Sequence, residues 1–147
     1  MTKRLTGIIS VLLIMCLFVI PLSPVSAATE EGVMPRYNNV ATVTGAMSIN
    51  DSGKMTISYK YTGSPSITTK AVITTYIEKK FLGLFWKRVD IGKTDNQWVD
   101  TINDYMYSGS RTYQLSSTGT YRVTIIYKIY GSGGSADEIE LQKTDSY

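Results

Sequence analysis

The side chains best suited to contact another molecule lie in one run, Lys79-Lys80-Phe81-Leu82-Gly83-Leu84-Phe85-Trp86-Lys87-Arg88. Five large apolar residues, Phe81, Leu82, Leu84, Phe85 and Trp86, surround Gly83, with Lys79 and Lys80 before them and Lys87 and Arg88 after them. Such a tip can enter a bilayer interface or a partner's groove while its cations meet lipid phosphates or an acidic polymer, and Trp suits that boundary. The pattern also fits a second arrangement, in which Phe81 and Phe85 fold over the open end of the core. Other residue types suggest weaker chemistries. Tyr76, Trp86 and Tyr130 fall on outward positions and could stack on sugar rings, although aromatics are also ordinary strand material. Asp95, Asn96, Asp100, Asn103 and Asp104 offer oxygen ligands of the kind calcium takes. Their spacing matches no known calcium loop, so a solvated polar loop is expected. Asn50-Asp51-Ser52 has the glycosylation acceptor pattern, at a turn.

Catalytic chemistry finds little to work with. The chain has no His, and its one Cys, Cys16, lies in an apolar run near the N-terminus. Histidine triads, histidine general bases and the usual zinc sites are excluded. Paired carboxylates can hydrolyse glycosides, but no Asp/Glu pair here has a cleft-forming context. Gly131, Gly133 and Gly134 close a hairpin rather than open a helix, so they make no phosphate loop. A non-enzymatic protein without metal or other cofactor is expected.

These residues reach their positions in an exported chain. Lys3 and Arg4 precede an apolar run from Ile8 to Ile20, Pro21 ends it, and Val25-Ser26-Ala27 supplies small residues at a cleavage site. This is the pattern of a secretory signal peptide over residues 1–27, with cleavage near Ala27. The run is shorter than the roughly 20 residues a spanning helix needs. Cys16 lies inside the run rather than at its end, so lipid attachment is not expected. Without Lys3 and Arg4 the charge is close to balanced, and no nucleic-acid partner is implied. Residues 28–36 lack periodicity and read as a flexible leader. The C-terminus, Lys143-Thr144-Asp145-Ser146-Tyr147, carries no apolar anchor. A secreted, extracellular product is the expectation.

From Tyr37 to residue 147 the pattern has period 2 with Gly, Ser, Asn, Asp and Pro punctuation, and Tyr and Thr are abundant, as strands prefer. Three hairpins follow from matching faces. Around Asn50–Gly53, Ile49 pairs with Met55, Met47 with Ile57, Gly45 with Tyr59 and Val43 with Tyr61. Tyr59 is expected to cover Gly45. Around Gly83, Ile77 pairs with Val89, Thr75 with Ile91 and Glu78 with Arg88. Around Gly131–Gly134, Tyr127 pairs with Ile139, Ile125 with Leu141 and Lys128 with Glu138. A slip by one residue would turn every buried side chain outward, so these registers are well specified. Short strands are expected at Gln97–Ile102 and Arg111–Leu115. The result is an all-β antiparallel sandwich of about seven or eight strands.

Leu115-Ser116-Ser117-Thr118-Gly119-Thr120-Tyr121-Arg122-Val123 resembles the corner leading into strand F of an immunoglobulin-type domain. The resemblance implies that Tyr121 bonds back across the corner. It also puts Val123 and Ile57 where antibody domains place their cysteines. No disulfide is available, and no Trp stands where strand C would carry one, so antibody-like recognition does not follow. The mature chain also resembles a group of small exported proteins of Firmicutes of uncharacterised function. The likeness rests on Arg36-Tyr37-Asn38-Asn39, Lys79–Trp86, Trp98-Val99-Asp100, Gly119–Arg122 and Tyr130–Asp137. It implies a secreted immunoglobulin-like β-sandwich and supplies no activity. The expected function is an extracellular or cell-envelope binding module whose partner is a protein, a glycan or a membrane surface. The alternatives are a structural protein that self-associates through its apolar tip, and carbohydrate binding through sheet aromatics.

Overall fold

Strands β1 (Val40–Ile49) and β2 (Lys54–Gly63) form where alternating apolar residues flank Asn50-Asp51-Ser52-Gly53. Gly53 takes φ 75°, and the Asn50 side-chain oxygen accepts the N–H groups of Ser52 and Lys54, which closes the turn. The structure is a computed structural model that describes residues 37–147. The expected signal peptide and the 28–36 leader lie outside the described residues. The remaining strands are β3 (Thr68–Phe81), β4 (Phe85–Arg88), β5 (Trp98–Ile102), β6 (Met106–Gln114), β7 (Thr120–Gly131) and β8 (Asp137–Ser146).

They make two antiparallel sheets. One has the order β1-β2-β6. The other has the order β4-β3-β7-β8, with β5 also pairing β3. First, second and sixth strands in one sheet, and third, seventh and eighth in the other, reproduce the division of an immunoglobulin-like sandwich. The chain is therefore an all-β, immunoglobulin-like sandwich, with eight strands among the described residues. The unit from Pro35 to Tyr147 carries its own core. Met55, Ile57, Ile73, Ile77, Val123, Ile125, Tyr127 and Ile129 are fully buried there.

The hairpin registers agree with expectation at Ile49–Met55, Met47–Ile57, Gly45–Tyr59 and Val43–Tyr61. They agree again at Tyr127–Ile139, Ile125–Leu141 and Lys128–Glu138. In the Gly83 hairpin Glu78 faces Arg88, and the Val89 N–H donates to the Ile77 carbonyl at 2.9 Å. The expected Thr75–Ile91 pair does not form. The chain leaves β3 after Val89, and Thr75 pairs with Trp98 of β5 instead. β6 begins at Met106, earlier than the expected Arg111, because it pairs with β2 as far as Thr62.

Tyr59 lies between two glycines, Gly45 on β1 and Gly109 on β6. The expected cover over Gly45 is incorrect. A Cβ at Gly45 would meet Ile125 and Leu141 side chains, whereas one at Gly109 would meet the rings of Tyr107 and Tyr59. Three other buried tyrosines finish on a backbone oxygen: Tyr61 on Asp104, Tyr127 on Thr44 and Tyr121 on Ser117, at 2.8, 2.7 and 2.6 Å. Each ring fills the core while its hydroxyl reaches the rim, so none of these three hydroxyls is stranded.

Candidate functional site

The β3–β4 tip stands clear of the sandwich because β3 outruns its neighbour. Pairing between β3 and β7 ends at Lys79–Tyr121. The next two rungs, Lys80–Trp86 and Phe81–Phe85, belong to β3 and β4 alone. The turn beyond them closes with the Leu84 N–H on the Phe81 carbonyl at 3.0 Å. Leu82 and Gly83 take φ 51° and 69°. Glycine accepts that conformation freely, but a leucine there costs about 1–2 kcal/mol. Gly or Asn would relieve that cost, and neither would present an apolar side chain.

All four apex side chains face solvent: Leu82 is 74% exposed, Leu84 80%, Phe81 48% and Phe85 52%. An arrangement in which Phe81 and Phe85 cap the core would bury them, and neither is buried. Their rings pack on each other, 5.3 Å between centroids. Trp86 is half-buried on the other face of the ribbon. The Arg122 guanidinium lies 4.5 Å from its ring centre and Lys80 Nζ lies 5.8 Å from it. Arg122 is itself fixed by two bonds to the Glu78 carboxylate, at 2.6 and 2.8 Å. Glu78 thus faces Arg88 in register but gives its charge to β7. Arg88 stacks 3.5 Å over Tyr76 and donates to the Asp95 carbonyl.

Lys79 donates to Ser117 Oγ at 2.7 Å and lies over the Tyr121 ring. Tyr121 is buried and its hydroxyl closes the corner on Ser117, as the strand-F resemblance implies. Among the described residues, Lys79, Lys80, Lys87 and Arg88 have no ion-pair partner. A shallow cleft of about 290 Å³ runs beneath the tip between Phe81, Val89, Lys79, Lys87, Arg88 and Asp90. Its wall at Val89 and Asp90 was not visible in the sequence, where the run was read only as far as Arg88.

The other candidate residues do not gather into a site. Tyr130 pairs with Lys70, six positions along β3 from Tyr76, or roughly 20 Å at about 3.3 Å per residue. The Tyr76 and Trp86 faces already carry guanidinium groups. These aromatics form no continuous platform for sugar rings. The acidic loop residues also disperse. Asn96 accepts the Ile91 N–H, Asp104 caps Tyr105, and Asp100 turns inward. Among the described residues, no group of three His, Cys, Asp or Glu is placed to hold a metal ion.

Asp100 anchors a cluster that the sequence did not reveal. It accepts from both Arg111 and the Tyr59 hydroxyl, the latter at 2.9 Å, and joins the two sheets at their edge. Burial, then the bond to Asp100, pushes the Tyr59 hydroxyl up to about 12. Arg111 also lies near the Trp98 ring, which meets Tyr113 edge-on. The cluster's bonds are internal to the fold and act as an inter-sheet clasp.

No protein-family model and no curated protein matches the chain.

Proposed function

We propose that the protein is a non-enzymatic, secreted β-sandwich that binds a partner at the cell envelope or outside the cell, and that the β3–β4 tip is its contact surface. The reading includes export through the N-terminal signal and kinship with the small exported proteins of Firmicutes. One observation carries it: Leu82 and Leu84 stand 74% and 80% exposed at the apex of a ribbon that extends past the sheet. Large apolar groups concentrated at one exposed point usually mark a contact surface. The left-handed Leu82 supports the same reading, because a better turn residue would be apolar-free.

The test is photo-crosslinking on whole cells of the expressing host. A photoreactive residue replaces Leu84 in one variant and Glu140, on the outer face of β8, in another. Envelope adducts from position 84 and none from position 140 are expected. Equal labelling from both positions, or none from 84, contradicts the proposal. A second reading, self-association, draws on β6, whose outer edge pairs with no strand among the described residues. Such edges are templates for pairing with another copy. A size in solution that rises with concentration favours it.

A further inference from the structure

We infer that the partner of the tip is an anionic lipid bilayer, into whose interface the apex inserts. This rests on the tip being a contact surface and names what it contacts. The ribbon is layered along its axis. Leu82 and Leu84 form the apex, followed by the rungs Phe81–Phe85, Lys80–Trp86, Lys79–Lys87 and Glu78–Arg88. At roughly 3.3 Å per rung, the cations begin about one rung behind the phenylalanines. Interfacial elements bury apolar groups to about 5–10 Å, with Trp at the boundary and Lys or Arg at the phosphates.

The layering surrounds the ribbon. Phe81, Phe85, Lys79 and Lys87 project from one face, and Lys80, Trp86 and Arg88 from the other, because successive residues alternate. A protein groove would receive one face of a ribbon, whereas a bilayer surrounds the whole apex. From Lys79 to Arg88 the charge is of one sign, with Asp90 behind it in the cleft. No carboxylate lies between Lys79 and Arg88, and neighbouring Glu78 is occupied by Arg122. Two copies meeting tip to tip would press four cations against four, which disfavours a second copy as the occupant.

The experiment measures co-sedimentation of the Pro35–Tyr147 domain with vesicles of phosphatidylcholine alone and with phosphatidylglycerol added. Binding is expected only with phosphatidylglycerol, and it should weaken as salt rises. Lys80→Gln with Lys87→Gln should lower partitioning about 25-fold, at about fivefold per cation. Leu82→Ser with Leu84→Ser should abolish it. Brominated lipid should quench Trp86, since Trp98 lies at the sandwich edge against Tyr113. Circular dichroism of each variant verifies that the fold is kept. Equal partitioning into both vesicles, or into neither, overturns the lipid assignment. If vesicles fail but Leu82→Ser/Leu84→Ser still abolishes envelope crosslinking, the lipid assignment falls and the contact-surface reading stands. If neither assay responds to that variant, both fall.

Discussion

Asp137 and Asn39 lock the end of the sandwich opposite the tip, although they lie 98 residues apart in sequence. The Asp137 carboxylate accepts the backbone N–H groups of Asn38, Asn39 and Val40, at 3.0, 2.7 and 3.1 Å. Asn39 answers by donating to the Ser135 carbonyl and accepting from the Gly133 N–H. The glycines are required by proximity, since a Cβ on Gly133 would lie 2.1 Å from the Asn38 carbonyl oxygen. Asn38 and Asn39, just before β1, and the Gly133–Asp137 turn before β8 therefore meet as one structural lock.

Removing that carboxylate strands up to three N–H groups, two of them in buried bonds. Asp137→Ala is expected to cost about 3 kcal/mol, because an unmet buried donor costs about 1–3 kcal/mol. Asp137→Asn, which keeps one acceptor oxygen, should cost less. Urea denaturation measures both. A loss under about 0.5 kcal/mol for Asp137→Ala would show that the lock contributes little.

The Tyr121 hydroxyl supports the corner that holds Lys79. Tyr121→Phe should lower stability by about 0.5–1.5 kcal/mol, the net worth of one hydrogen bond. An unchanged denaturation midpoint contradicts the role given to the 2.6 Å bond to Ser117.

Much of the fold was legible because odd-numbered residues face inward along most of β1, β2, β3, β6, β7 and β8, except where register shifts bury Val40 and Thr68. Local hairpins inherit that parity through their turns, so Met47–Ile57 and Tyr127–Ile139 could be read directly. The loop from Val89 to Gln97 breaks it. β5 pairs Ile73 with Asp100, so even-numbered Trp98, Asp100 and Ile102 face inward and Val99 is 53% exposed. No local pattern signals such a shift, which is why Asp100 read as a loop ligand rather than as the partner of Arg111. Glu78 faces Arg88 as the register predicts, but its charge goes elsewhere. Its ion-pair partner, Arg122, lies on β7, and non-local pairing leaves no short-range trace. The site residues were legible as a run, but their exposure was not, because it depends on where β7 stops beside β3.

Alkaline pH should weaken the domain. Burial pushes the hydroxyls of Tyr59, Tyr61 and Tyr127 up to about 12, above the usual 10. Between about pH 10 and 12 the unfolded chain loses protons that the folded chain keeps, so stability falls as pH rises through that window. It is fully present below pH 10. Urea midpoints on either side of that value measure the fall, and Tyr59→Phe should make it shallower. A midpoint independent of pH across the window contradicts the assignment.

The inter-sheet clasp predicts an asymmetry. Asp100→Ala leaves Arg111 and the Tyr59 hydroxyl without their acceptor and should cost about 1–3 kcal/mol, since removing one partner strands the other. Lys128→Ala breaks the exposed 3.7 Å pair with Glu138 and should cost less than about 0.5 kcal/mol. Equal losses in thermal or urea unfolding would mean that Asp100 does not join the sheets.

The central claim is that the tip serves contact rather than the core. The most direct test compares Leu82→Ser/Leu84→Ser with the unaltered domain, measuring unfolding free energy and envelope retention on the same preparations. Both side chains are largely exposed, so stability should change by less than about 0.5 kcal/mol while retention is lost. A fall of about 2 kcal/mol or more with retention intact would make the tip a structural cap and contradict the account.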